Sequence, residues 1–166
     1  MSNYTGVRSE TFEWVGPVVG ARVETGMSGL AYLTGIRDGV VPPPIVGSLI
    51  TAELVEIAHG KVQLICSAPD TEFGLLYELD PGQASVLLNA AVSCVARTLV
   101  GLHEGWATVE SQSSYVRPVS QRVSYLTATA VVVESSAGRA LVGGELADDR
   151  GRVLATISTT LDVFDL

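Results

Sequence analysis

Basic residues, histidine and cysteine are scarce in this chain of 166 residues, which has ten Lys plus Arg against eighteen Asp plus Glu, two His and two Cys. Each shortage closes off a class of function. A net charge of −8 with scattered cations offers no basic face to a phosphate backbone, so nucleic acid is excluded as a partner. Cys66 and Cys94 have neither metal-ligand nor disulfide-framework spacing, and read as small buried apolar residues of a reducing compartment. His59 is expected in a hairpin turn and His103 in a loop, both solvated, and no serine has a visible His and Asp constellation. No apolar run reaches membrane-spanning length without interruption. The N-terminal stretch, with Arg8, Glu10 and Glu13, has no apolar signal region, which makes the cytoplasm the expected location. No dinucleotide or phosphate-loop fingerprint occurs, and neither a metal nor another cofactor is expected; Gly143-Gly144 reads as a bulge or a close backbone approach inside a strand.

What the chain does have is one long helix over Asp80 to Val100. Asp80 is a good N-cap, Pro81 suits the first helical position, and Gln83 stands where a capping box takes Glu or Gln. Beyond it the segment is apolar almost all the way round. Only Ser85, Asn89, Ser93 and Arg97 interrupt the pattern, at a spacing of four, and they form one narrow polar stripe. Such a helix is expected to be enclosed by the rest of the fold.

The remaining segments supply strands. Ile50 to Ala58 and Lys61 to Ala68 flank His59-Gly60, a hairpin signal. After the helix, Trp106 to Val116, Arg122 to Glu134, Arg139 to Leu146 and Arg152 to Phe164 follow with short turns between them, suited to antiparallel neighbours. Glu104, Glu110, Glu134 and Glu145 read as outer-face charges at strand ends. Met27, Leu30, Ala31, Leu33 and Thr34 suggest a short amphipathic helix within Thr25 to Gly39, followed by an extended Val40 to Ile45 containing three consecutive prolines. The expected organisation is α+β, a single domain over residues 1–166 with an N-terminal helical extension over about 1–48.

This order of elements resembles the hotdog-fold acyl-CoA thioesterases, in particular the PaaI-like branch. The resemblance is carried by Gly29-Leu30-Ala31-Tyr32-Leu33 through Pro42-Pro43-Pro44-Ile45, the long helix entering at Asp80-Pro81-Gly82, Ser114-Tyr115-Val116-Arg117-Pro118, and the closing Asp149-Arg150-Gly151-Arg152-Val153-Leu154-Ala155. It runs from about Met27 to Phe164. It implies a six-stranded antiparallel sheet wrapped round the central helix and a homodimer paired through edge strands, with a dimer of dimers as the next level of assembly. It also implies a substrate that is an acyl-CoA or acyl-carrier-protein thioester.

The departures from the family bear on the chemistry. Where the family opens the helix with His-Gly-Gly, this chain has Asp80, Pro81 and Gly82, and Asn89 stands where the family places its catalytic carboxylate. Gly74 occupies the place of the family's Asn before the helix, while Thr108 keeps a hydroxyl that often lies near that carboxylate. A neutral amide has no useful basicity, so water activation is not assigned to Asn89. The positive end of the helix, near Gly82, still suits a thioester oxygen gaining charge. The resemblance thus marks Gly82, Asn89, Asp80 and Thr108 as catalytic candidates, with Ser85, Glu78 and Arg117 at the substrate. Each has a plainer reading beside this one: Asp80 an N-cap, Asn89 a polar contact across a dimer interface, Glu78 a loop charge, Arg117 a surface ion pair instead of a CoA phosphate ligand. Two functions follow, a thioesterase with a rearranged base and a non-catalytic hotdog protein that binds an acyl thioester or similar ligand.

Overall fold

The computed structural model describes residues 26–43, 52–67, 81–118 and 123–166. Helix α1 spans Gly29–Arg37 and helix α2 Pro81–Leu99; the strands are β1 Ala52–Ala58, β2 Lys61–Ser67, β3 Glu104–Tyr115, β4 Tyr125–Ser136, β5 Arg139–Asp148 and β6 Val153–Asp165. The strands form one antiparallel sheet in the order β1-β2-β4-β5-β6-β3, so β1 and β3 are its edges. The expected hairpin, long helix and four following strands all form. Asp80, Glu78, Gly74 and the end of the proline segment lie outside the described residues.

Helix α2 packs across β4, β5, β2 and β6. Its Leu87, Leu88, Val92 and Val95 are buried against Val62, Leu64, Leu126, Val142, Leu146 and Leu161. Each such side chain contributes about 1.5–3 kcal/mol when taken out of water. Gly144 lets the strands lie flat beneath the helix, since a Cβ there would come within 2.9 Å of Ile157 and 3.2 Å of the Thr129 carbonyl. This is the close approach expected of the glycine pair.

The helix is not enclosed on all sides, contrary to the expectation from its composition. Pro81, Gly82 and Asn89 are exposed and Val86 is 40 % exposed. A single sheet covers only one side of a cylinder, and α1 reaches only part of the other.

Helix α1 starts at the N-cap Ser28, whose hydroxyl accepts from the Ala31 amide, and ends in backbone bonds that include Gly39 at a positive φ of 72°. Its buried face is Gly29, Tyr32 and Leu33, with Ile36 packed beside them, while Leu30 and Ala31, read as part of the apolar face, are exposed. Gly29 sets this rotation. It lies directly on the Arg97 carbonyl, and its amide donates to the Val100 carbonyl at 3.4 Å.

The β1–β2 turn is tied to the far end of α2. His59 was expected to be solvated; its ring is exposed, but Nδ1–H donates to the Thr98 carbonyl at 2.9 Å, while the Gly60 amide donates to Thr98 Oγ1 at 2.9 Å. Thr98 is a buried polar residue whose own hydroxyl donates to Val95 O, so the helix end and hairpin satisfy one another. Glu104 is likewise more than an outer-face charge, because its carboxylate accepts from the Gly101 amide at 2.7 Å.

Candidate active site

The incomplete cover over α2 leaves a cavity of about 910 Å³. Its floor is the face of α2 carrying Ser85, Val86, Asn89, Ala90, Ser93, Cys94 and Arg97. Tyr32, Leu33, Ile36 and Arg37 of α1 form one wall, Ala52, Leu54 and Leu64 of the first hairpin another, and Trp106 of β3 closes an end. Residues three and four apart share a helix face, which is why the interrupted polar stripe and its apolar neighbours all border one space.

At the N-terminal end of α2 a short hydrogen-bonded chain joins helix and edge strand. The hydroxyl of Tyr115 donates to the Pro81 carbonyl at 3.0 Å and lies 2.6 Å from Ser85 Oγ. A carbonyl only accepts, so the phenol proton is committed to Pro81 and the Ser85 hydroxyl donates to Tyr115. Tyr115 is thereby a latch that fixes the first turn of α2 against β3. It was noticed in the sequence only as part of a strand-end pattern.

Asn89 borders the cavity one turn further on. Its Nδ2 donates to the Ser85 carbonyl at 2.8 Å, which fixes the orientation of the amide and leaves Oδ1 with no hydrogen bond among the described residues. Arg97 lies over the Tyr32 ring at 5.2 Å from its centroid, a cation–π contact that joins α1 to the floor. Burial pushes the Cys94 thiol up to about 11, against a small opposing effect of Arg97, so at neutral pH it is a protonated apolar residue of the floor and no nucleophile.

Of the other residues singled out in the sequence, Gly82 sits exposed in the first turn of α2 and Thr108 is exposed on β3; neither borders the cavity of the single chain. Thr108 pairs with Leu161, and its neighbour on the same face, Ser111, lies 3.1 Å from Thr159 Oγ1, so this face of β3 looks toward the helix side of the sheet. Arg117 is held to β6, donating from Nη1 to the Val153 carbonyl at 2.7 Å. Asp80 and Glu78 are not described. The structure therefore brings Ser85 and Asn89 together at one cavity and leaves Gly82, Thr108 and Arg117 beside it.

Glu53 also borders the cavity and had not been singled out. It pairs with Ile65, whereas Leu54 pairs with the core residue Leu64, so alternation turns Glu53 to the outer face of the sheet. Its carboxylate belongs to the rim. Among the described residues, no group of His, Cys, Asp and Glu is arranged to hold a metal ion, and no helix is long and apolar enough to cross a membrane.

No protein-family model matches the chain, and no curated protein matches it. Solved structures do. A thioesterase family protein from Silicibacter pomeroyi superposes with a TM-score of 0.68 at 22% identity, over 81% of this chain and 99% of that one. The PaaI protein of E. coli, from the phenylacetic acid degradation operon, gives 0.68 at 11% identity over 82% and 94%. The smu.793 protein of Streptococcus mutans UA159, bound to acetyl CoA, gives 0.59 at 14% identity over 69% and 89%. At these identities the likeness is one of fold. The chain has the hotdog fold, a six-stranded antiparallel sheet wrapped on a long helix, and its structural neighbours are thioesterases of the PaaI-like kind.

Proposed function

We propose that this protein binds an acyl-CoA thioester with the acyl group in the cavity along α2, and that it acts as a thioesterase whose general base differs from the family's. The observation that carries the reading is the cavity itself: about 910 Å³, mostly apolar, its floor starting at Ser85, one turn beyond the helix start that Tyr115 fixes and that carries the positive end of the dipole. A thioester carbonyl placed there would have its developing negative charge stabilised by the helix dipole, while the acyl chain lies among Leu33, Leu54, Leu64 and Trp106. The acetyl CoA in the S. mutans relative of the same fold supports the choice of ligand. Acyl-carrier-protein thioesters present the same reacting group and belong to the same proposal.

The rest of the assembly follows the fold. Edge strand β3 has one side unpaired among the described residues, and two copies pairing there would form a homodimer, able to associate again as a dimer of dimers, with Thr108 and Gly82 brought to the subunit boundary. We place the protein in the cytoplasm and assign it no cofactor. Asp80 and Glu78 remain the carboxylates proposed for the helix entrance.

A second reading is favoured by one observation: the residue on the cavity floor at the place of the family's carboxylate is Asn89, an amide. In that reading the protein binds the thioester without cleaving it. The test is a hydrolysis screen of purified protein against acyl-CoA thioesters of graded length, with Asn89→Asp alongside. A slow wild type and an Asn89→Asp variant faster by roughly 10²–10⁴-fold would locate the missing function at that position. A fast wild type that is lost in Asp80→Asn or Glu78→Gln would place the base at the helix entrance. If neither protein turns over any thioester while acyl-CoA raises the melting temperature, the binding reading replaces the enzymatic one.

A further inference from the structure

The floor of the cavity carries a polar track beside its apolar Val86, Ala90 and Cys94, and the track constrains the acyl group. The walls supplied by Leu33, Leu54, Leu64 and Trp106 are apolar, whereas Ser85, Asn89, Ser93 and Arg97 place a polar side chain on the floor every fourth residue. From Ser85 to Ser93 this track is about 12 Å long at the helical rise of 1.5 Å per residue. Ser85 is committed to Tyr115. Asn89 uses one amide hydrogen on the Ser85 carbonyl, and its Oδ1 accepts nothing among the described residues. Half-buried Ser93 makes no hydrogen bond among the described residues, not even the common one to the carbonyl a turn before it.

A plain alkyl chain lying along this floor would strip water from Asn89 Oδ1 and Ser93 Oγ and return no hydrogen bond to either. A hydroxyl on the floor side of the chain would donate to Asn89 Oδ1 or exchange a bond with Ser93 Oγ, while a keto or carboxylate oxygen would accept from the Ser93 hydroxyl and from the second Asn89 Nδ2–H, so an oxygen-bearing chain returns bonds that an alkyl chain does not. Resting on the acyl-thioester reading above, we propose that the substrate is an oxygen-bearing aliphatic acyl chain, its oxygens read by Asn89 and Ser93 while its methylene edge packs on Leu54 and Trp106. A site with polar groups built for a substrate oxygen discriminates strongly against the analogue that lacks it.

The test compares three CoA thioesters of equal chain length: octanoyl-CoA, 3-hydroxyoctanoyl-CoA and suberyl-CoA, which ends in a carboxylate. At least one oxygenated thioester is expected to exceed octanoyl-CoA by roughly tenfold or more in kcat/KM, or in affinity measured by thermal shift if turnover is slow. Ser93→Ala is expected to shrink that ratio by about tenfold without lowering the melting temperature of the unliganded protein, because Ala is the better helix former. Octanoyl-CoA matching or beating both oxygenated thioesters overturns the inference and leaves the thioester reading intact. So does a ratio unchanged in Ser93→Ala. If none of the three is hydrolysed or shifts the melting temperature, the thioester reading falls and this inference with it.

Discussion

Gly29→Ala sets two physical effects of opposite sign against each other. Helix propensity alone favours Ala over Gly by up to about 1 kcal/mol, so a reading confined to α1 expects the variant to be more stable. The packing says otherwise. A Cβ at Gly29 would sit 1.6 Å from the Arg97 carbonyl oxygen and 2.6 Å from its carbon, both backbone atoms of a helix held against the sheet. Neither can yield as a side-chain tip would, so α1 must retreat by more than an ångström. That retreat uncovers Tyr32 and Leu33, which are only 5% and 3% exposed. Each contributes about 1.5–3 kcal/mol by burial, so half-exposing the pair costs about 1.5–3 kcal/mol, above the propensity gain. For a chain of this size that corresponds to a fall in Tm of roughly 5–10 °C. Because Tyr32, Leu33 and Ile36 wall the cavity, thermal-shift titration with acyl-CoA should show weakened binding in the same variant. A Gly29→Ala protein with unchanged or higher Tm and unaltered ligand response would refute the account of how α1 docks.

Tyr115→Phe removes the donor to Pro81 and the acceptor for Ser85; a stability loss of about 1 kcal/mol by urea unfolding is expected, with a larger loss in kcat than in affinity if the latch positions the first turn of α2. Thr98→Val leaves the half-buried Gly60 amide and the helix end without their shared partner, and should cost about 1–2 kcal/mol in the same assay. At Asp148 burial pushes the carboxyl up, but the Arg152 amide, the Arg152 guanidinium and the Arg150 amide together outweigh it and hold it below the ordinary carboxylate range. The group thus stabilises the fold at pH values above the unfolded-state value of about 3.9 and ceases to do so as pH falls through the lower folded-state value. Asp148→Asn should therefore be less stable than wild type at pH 7 and approach it at the acid end of a pH series, and a gap that stays constant down to pH 2 would contradict this assignment.

The elements were legible in the sequence because each carries a local signal with a period or a boundary. His59-Gly60 marks the hairpin, Pro81 starts α2, and the alternation through β6 survives in its buried Ala155, Ile157, Thr159 and Leu161. What escaped was set by contacts distant in sequence. The inward face of α1 was only partly readable from its own amphipathicity: Leu33 and Met27 face the core as their pattern suggests, but Gly29 against Arg97 brings Tyr32 inward and leaves Leu30 outside. His59 looked like an ordinary turn residue because its partner, the Thr98 carbonyl, lies thirty-nine residues away.

The same limit explains why the site was half visible. The stripe of Ser85, Asn89, Ser93 and Arg97 stands out in the sequence as a break in an apolar helix, and an apolar composition by itself predicts cover on every side. The cover is absent along that stripe, and Val86, Ala90 and Cys94 border the opening together with it. An apolar residue facing a ligand cavity and one facing a core obey the same composition, so the sequence of α2 could not separate the two. The separation lies in α1 and β1, which pack on one another and whose Tyr32, Leu33 and Leu54 line the gap left over α2. A substrate that fills this gap supplies the burial the helix's composition calls for, and that burial is why binding should raise the melting temperature even where hydrolysis is slow.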